Sequence, residues 1–353
     1  MLQKLAQLTA RVKTSMTVLA SATVLCCGLA NTAQAISFGQ ISQVYFFGDS
    51  LTDSGFNDLW PGLPVGKAPT FTTFGGYTWS QYVASDIKGF QLPVYPGPNP
   101  ADRITNNAIY SVPNFVSGTL TGVNYAAAGS TTGSGGFNET WAPSLDLQIN
   151  YFLATKGPAD PNAVYFIWSG ANDLLSLLSS SPSQLQLLMA SNTAANNIAS
   201  EVQKLSISGA KRVVVVSLPN LGITPFVTET ATSTGNPGLP GSLKTVSFTF
   251  NSMLNSALGK IAAQYGTKIL YIDTFDLLDN VVLAFQAGQP YVVAGQAFQF
   301  ANVTDPACST VQQAISCPST APNNYLFADT IHPSGMAHRL LSLYIETQLQ
   351  NWA

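Results

Sequence analysis

The sequence predicts an α/β fold, a parallel sheet covered on both faces by helices. Three observations predict it. Five short β-rich segments recur along the chain. Two of them, "RVVVVSLP" and "KILYID", are near-continuous apolar runs, the pattern of strands buried on both faces. Stretches with apolar residues at helical spacing lie between the segments, and strands that alternate with helices build a parallel sheet with a helical layer on each side.

The first 35 residues read as a signal peptide. Lys4, Arg11 and Lys13 make a positive start, Thr14 to Ala30 is mostly apolar and small, and Ala33-Gln34-Ala35 gives an A-x-A cleavage site. The apolar run falls short of the roughly 20 residues that a membrane-spanning helix needs. Cys26 and Cys27 lack the small residue that precedes a lipidated cysteine. Residues 36–353 are then expected to form a single domain, because no linker divides them and no repeat recurs.

Within that domain the first strand, Val44–Phe47, runs straight into Gly48-Asp49-Ser50. Gly55 to Phe74 is rich in Pro, Gly and Thr and reads as a long loop. A helix is expected over Tyr77 to Lys88 and a second strand over Val123–Ala126. Leu145 to Lys156 reads as helix, Val164–Trp168 as strand, and Pro182 to Ser208 as a long helix. Strand Val213–Leu218, helix Leu243 to Tyr265 and strand Ile269–Ile272 follow, and a helix over Gly335 to Trp352 closes the chain. One region breaks the alternation. An insertion at about residues 281–324 begins apolar, contains "YVVAGQAFQF", and holds Cys308 and Cys317.

Composition bounds the function. Of 353 residues, 46% are apolar, enough for a sizeable core, and only 9% are charged. The usual charged share is about 25%, so the surface must be rich in uncharged polar residues, as in many exported proteins. The formal net charge is −3, and loss of the first 35 residues removes three basic and no acidic residues. An acidic chain with no basic run does not read as a nucleic-acid binder, nor does it carry a polybasic membrane patch. Cleavage would leave two cysteines, and in an exported protein the close pair Cys308 and Cys317 reads as a disulfide.

A serine at a strand end becomes a nucleophile only with a base, an orienting acid and an oxyanion hole. His332 and His338 are the two histidines of the chain. His332 lies in "FADTIHPSG", with Asp329 three residues before it, a spacing that lets a tight turn set carboxylate against imidazole. His338 has no such acid and reads as a helix histidine. Oxyanion donors are sought at strand ends. Gly129 in "NYAAAGSTTGSGG" follows the second strand, and Asn172 in "IWSGANDLL" follows the third. The plainer readings are a turn glycine and a helix-capping asparagine. Ser50, Gly129 and Asn172 all follow the carboxyl ends of candidate parallel strands, where open α/β sheets bind ligands.

Taken together, "FGDSLTDSG", "NYAAAGS", "SGANDL" and "DTIHPSG" resemble the four ordered blocks of the GDSL, or SGNH, hydrolase family, and "SLPNLGITP" is similar to a further block of its lipase-like branch. The blocks most resemble the bacterial phospholipase/lysophospholipase and glycerophospholipid–cholesterol acyltransferase branch. The resemblance implies a flavodoxin-like three-layer α/β/α sandwich on a parallel sheet of about five strands. It implies Ser50 as nucleophile, His332 as base and Asp329 as its orienter. The backbone N–H groups of Ser50 and Gly129 and the Asn172 amide would form the oxyanion hole. No metal or cofactor enters, and "GSTTGSGG" lacks the lysine of a phosphate-binding loop.

The expected substrate is a lipid or other acyl ester. An alcohol other than water is a further acyl acceptor, and transient contact with a membrane surface accompanies a lipid substrate. "FTTFGGYTW" would line an acyl groove with Phe56 and Trp60 near it, and "YVVAGQAFQF" would act as a lid, or these aromatics belong to the core. The expected location is periplasm, cell surface or medium. Two other functions compete: a short-chain or carbohydrate acetyl esterase, and a secreted lipid- or glycan-binding protein without catalysis. The intact set of Ser50, Asp329 and His332 speaks against the last.

Overall fold

The computed structural model describes residues 37–54, 71–90, 123–133, 142–308, 317 and 320–352. The expected signal peptide lies outside them, as do residues 55–70 of the loop after Ser50, with Phe56 and Trp60.

The sheet consists of four parallel strands, β1 (Val44–Gly48), β2 (Val164–Trp168), β3 (Arg212–Val216) and β4 (Lys268–Ile272), in that spatial order. Phe46 stands opposite Phe166, Phe166 opposite Val214, and Val214 opposite Leu270. The strand residues divide between the two faces with a period of two. Phe47, Tyr165, Ile167, Val213 and Val215 pack on one face under helices α2 (Leu145–Lys156), α3 (Ala171–Leu175), α4 (Gln184–Ile207), α5 (Pro225–Ser233) and α6 (Leu239–Tyr265). Phe46, Phe166, Val214 and Val216 pack on the other, against α1 (Trp79–Lys88), α7 (Thr274–Gln286) and α8 (Gly335–Asn351). Among the described residues no helix is long and apolar enough to cross a membrane.

The expected second strand, Val123–Ala126, is reduced to a single parallel bridge between Asn124 and Phe46. The segment still donates and accepts along the free edge of β1, from Tyr125 N–H to Phe46 O (2.8 Å) and from Phe46 N–H to Val123 O (3.0 Å). The ladder takes one more step, from Ala127 N–H to Gly48 O (3.1 Å), while side chains hold two neighbouring N–H groups. Asn124 Oδ1 takes the Ala126 N–H (3.0 Å), and Gln148 Oε1 takes the Gly48 N–H (2.9 Å). The chain thus leaves β1 toward one side, pairs there briefly, and returns to β2 on the other. Strand order reverses at β1, which makes the end of β1 the switch point where such sheets hold ligands.

Three helices went unread in the sequence, the five-residue α3 and the longer α5 and α7. α5 is threonine-rich, and β-branched residues lower helix propensity. Its start is secured by the Thr224 side chain, which accepts from Val227 N–H, and by Pro225 in its first turn. α7 begins directly after β4, capped by Asp273 (Asp276 N–H to Oδ1, 3.0 Å), so the apolar start of the insertion is the end of a helix. The rest of the insertion is a hairpin of β5 (Tyr291–Val293) and β6 (Gln296–Phe298), then β7 (Asn302–Pro306), which pairs in parallel with β8 (Tyr325–Phe327). Val293, Phe298 and Phe300 are buried in the core beside α7 and α8. Those aromatics are therefore core residues rather than a detached lid, while Val292 on the same hairpin points to solvent. Cys308 and Cys317 form a disulfide.

Candidate active site

Ser50 lies two residues beyond the end of β1. Gly48 has a φ of +148°, and a Cβ there would sit 2.0 Å from the Trp168 carbonyl oxygen, so only glycine lets β1 run this close to β2 at its end. After it, Asp49 Oδ1 accepts the Leu51 N–H (3.0 Å), and the Asp49 carbonyl accepts from Thr52 and Asp53 (3.0 Å each). This turn lifts Ser50 out of the sheet onto the carboxyl-end rim.

The Asp329–His332 turn comes from the other end of the chain, between β8 and α8. Asp329 is fully buried, and one oxygen accepts the N–H groups of Ile331 (2.8 Å) and His332 (2.7 Å). Its other oxygen faces His332 Nδ1 at 2.7 Å. Burial opposes its charge, but the His332 imidazole and these hydrogen bonds outweigh burial and hold the carboxyl below its usual range. His332 Nε2 then meets Ser50 Oγ at 2.7 Å. Phe71 packs its ring on the imidazole, 4.7 Å between centroids. Of the stretch expected to line an acyl groove, Phe71 therefore lies at the site, whereas Trp79 is core, edge-on to Phe46 and Phe166.

Gly129 occupies the third position of a turn closed by Ser130 N–H on Ala127 O (3.0 Å), with φ +82° as a type II turn requires. Among the described residues no backbone acceptor engages the N–H of Ser50 or Gly129. Asp53 Oδ2 ties the turn to the Ser50 segment through Ala128 N–H (2.9 Å). Asn172 is not a cap. Gly170 caps α3, and Asn172 sits inside its first turn, donating from Nδ2 to the Ser130 carbonyl (2.8 Å). With one amide hydrogen committed to Ser130, the second is aimed by that bond. Ser50, Asn172 and His332 are each 5–8% exposed, enough for a substrate atom to reach and little enough to exclude bulk water.

His338, one turn into α8, stands apart from this group. It is wholly buried, accepts the Trp79 N–H on Nδ1 (3.2 Å), and burial pushes its pKa down to about 3. It is a neutral structural histidine joining α8 to the start of α1. Among the described residues, no group of three or more His, Cys, Asp or Glu side chains is placed to hold a metal ion.

A hydroxyl against an imidazole against a buried carboxylate is an arrangement for nucleophilic acyl transfer. Residues 44–345 match the model of the GDSL-like lipase/acylhydrolase family. The chain belongs to that family. It is a GDSL-type carboxylic-ester hydrolase, and its substrate is an ester. A GDSL esterase/lipase of Arabidopsis thaliana is 27% identical over 370 residues, 91% of this chain and 93% of its own length. Lipase 1 of Photorhabdus luminescens is 25% identical over 86% of this chain, and esterase EstA of Pseudomonas aeruginosa is 29% identical over 91% of it. The chain spans 49% of the length of each of these two bacterial relatives, about half. Among solved structures, a catalytic mutant of Axe2, an acetylxylan esterase of Geobacillus stearothermophilus, aligns with a TM-score of 0.42 and 15% identity. That alignment covers 87% of this chain and 93% of the other.

One residue at the site went unnoticed in the sequence. Gln148 interrupts the buried stripe Leu145, Ile149 and Phe152 on α2. A polar side chain on the apolar face of a helix was the signal that could have found it.

Proposed function

We propose that the chain is a secreted lipid acyl-ester hydrolase working through an acyl-Ser50 intermediate. The observation that carries the lipid reading is an apolar cavity beside the site. It measures about 70 Å³. Leu51, Ala171, Ile331 and Pro333 line it, the immediate chain neighbours of Ser50, Asn172 and His332. A single water needs roughly 10–15 Å³ in the same measure, so the space admits several carbons of an acyl chain rather than an acetyl group alone. Its two hydroxyls are already spent, Thr224 Oγ1 on Leu221 O (2.8 Å) and Thr274 Oγ1 on Ser217 O (2.7 Å). Apart from the Trp168 indole N–H, a sugar would bury its hydroxyls there without partners, whereas a hydrocarbon suits the apolar walls.

In the reaction, Ser50 Oγ bonds to the ester carbonyl carbon as His332 Nε2 takes its proton. The oxyanion rests on the N–H groups of Ser50 and Gly129 and on the Asn172 amide. The carbon–oxygen bond to the alcohol breaks, and the alcohol leaves with the proton from His332. Water then attacks the acyl-enzyme, gives a proton to His332, and frees the fatty acid as Ser50 regains it. Asp329 keeps the imidazole in the tautomer and orientation both steps need.

Secretion is supported by the N-terminal run with its A-x-A site and by the disulfide, which belongs to oxidising compartments. The test of the whole reading is fatty-acid release by purified residues 36–353 from phospholipids, lysophospholipids and a series of short-chain esters, with Ser50→Ala in parallel. A buried methylene is worth about 0.8 kcal/mol, so kcat/KM should climb about threefold to fourfold per carbon from acetyl upward until the cavity is full. Activity that declines from acetyl upward would overturn the lipid reading in favour of a short-chain esterase. No Ser50-dependent release from any ester would overturn the mechanism. Fractionation of cells expressing the full chain, with N-terminal sequencing, should find a protein starting at Ile36 outside the cytoplasm.

A further inference from the structure

The buried amide of Gln148 makes four contacts at the root of the site. Oε1 accepts the Gly48 N–H (2.9 Å), while Nε2 faces Gly48 O (2.8 Å), Ser130 Oγ (3.0 Å) and Pro143 O (3.0 Å). Gly48 lies two residues before Ser50. Ser130 follows Gly129, and its carbonyl receives the Asn172 amide at 2.8 Å. One side chain therefore grips the strand that carries the nucleophile and the turn that carries the Gly129 N–H and anchors the Asn172 amide. The grip stands at the last rung between β1 and the flanking segment, where one backbone bond remains, Ala127 N–H to Gly48 O (3.1 Å), and the Gly48 N–H goes to Gln148 instead. Gln148 thus reinforces the spacing where the ladder is down to that single bond. A buried primary amide is costly unless bonded. A packing role alone would have been filled by leucine or methionine.

We propose that Gln148 is a positioning residue for the oxyanion hole, setting the Ser50 N–H against the Gly129 N–H and, through Ser130, aiming the Asn172 amide. The proposal rests on the acyl-Ser50 reading. It differs from a scaffold role in what it predicts for kinetics. A misplaced hole weakens the transition state and leaves ester binding alone, so the loss falls on kcat rather than KM.

The experiment is steady-state hydrolysis of p-nitrophenyl butyrate by Gln148→Met, which keeps the side-chain length and removes every amide contact. Thermal melting is followed in parallel. We expect kcat to fall about tenfold to hundredfold, the scale of a small misplacement at the reacting atoms, with KM moved by no more than about twofold. Combined with Asn172→Ala, the loss should be less than the product of the two single losses, because both act through one hole. Wild-type kcat in a folded Gln148→Met protein would overturn the proposal, and so would fully multiplicative losses. If Gln148→Met does not fold, Gln148→Glu decides, since it keeps the acceptor for Gly48 N–H and gives up the amide donors. The same kcat-only loss is expected, and an unchanged kcat, or failure of both variants to fold, assigns Gln148 to the scaffold. Ser50→Ala separates the two readings. Activity surviving in Ser50→Ala sinks the acyl-enzyme mechanism, whereas a dead Ser50→Ala beside fully active Gln148 variants sinks the Gln148 role alone.

Discussion

His332 Nε2 stands 2.7 Å from Ser50 Oγ, although 282 positions separate the two residues in the chain. The contact needs β1 and the β8–α8 turn to meet at one rim of the sheet. Core packing brings them there. Leu51 on one side, and Phe327 and Ala337 on the other, belong to the same buried cluster. Ser50 and His332 are thus carried by segments whose neighbours are locked in the core, which fixes the pair without help from a substrate.

Asp329 is the first test of that geometry. Asp329→Asn keeps the volume but presents an amide to His332 Nδ1, favouring the tautomer that cannot take the Ser50 proton. The expected loss in kcat is about ten-thousandfold, with KM little changed. Single-turnover hydrolysis of a chromogenic ester measures it. A variant within tenfold of wild type would show that His332 is oriented by something else.

Asn172→Ala removes the proposed oxyanion donor while Ser130 O loses its partner (2.8 Å in the native protein). Turnover should drop about a hundredfold to a thousandfold. The fall belongs in kcat, because the donor acts on charge that develops only in the transition state. An effect confined to KM would make Asn172 a substrate-binding residue instead.

Much of this was legible in the sequence, and the reasons differ by element. β3 stood out because a strand buried on both faces needs an unbroken apolar run, and "RVVVV" supplies one, whereas the similar run "KILYI" forms β4 at the sheet edge, where only Ile272 is buried. The turn at Asp329 was legible because its hydrogen bonds are local, spanning two and three residues. The weak pairing of Val123–Ala126 was not, since the Gly48 N–H that would continue the ladder is taken by Gln148, a side chain from a helix some twenty residues on, and that is a long-range fact. Nor was the cavity. Its walls come from Leu51, Ala171, Leu277 and Leu341, residues that no local pattern joins.

Asp49 gives a pH prediction with a definite sign. It is fully buried beside Ser50, and burial pushes its carboxyl up from 3.8 to about 7. The Leu51 N–H and His332 act to lower it, and Asp173 and Asp53 add to the rise. The folded protein therefore holds the Asp49 proton more tightly than the unfolded chain does. The favourable contribution is complete below about pH 4 and is lost as pH rises toward and through 7. Asp49→Asn keeps an oxygen for Leu51 N–H and removes the ionisation. Its melting temperature relative to wild type should rise steadily between those pH values and level off above. Parallel curves for the two proteins across that range would show that Asp49 does not titrate in it.

The Cys308–Cys317 disulfide closes a short loop, nine positions apart in sequence. Chain entropy alone assigns such a loop about 2–3 kcal/mol. Its placement adds a functional consequence. Cys308 N–H donates to Ala328 O (2.9 Å), and Ala328 immediately precedes Asp329, so the bridge is tied through Cys308 to the backbone that carries the Asp329 carboxylate. Ala328 N–H in turn donates to His332 O (2.7 Å), closing the turn from inside. Reduction, or Cys308→Ser with Cys317→Ser, should therefore lower the melting temperature and the turnover together, with activity falling at temperatures where the bulk fold persists. Thiol titration of the unreduced protein spanning residues 36–353 should find no free thiol. Reduced protein that melts lower yet keeps full turnover up to its melting point would confine the bridge to stability and detach it from the Asp329 turn.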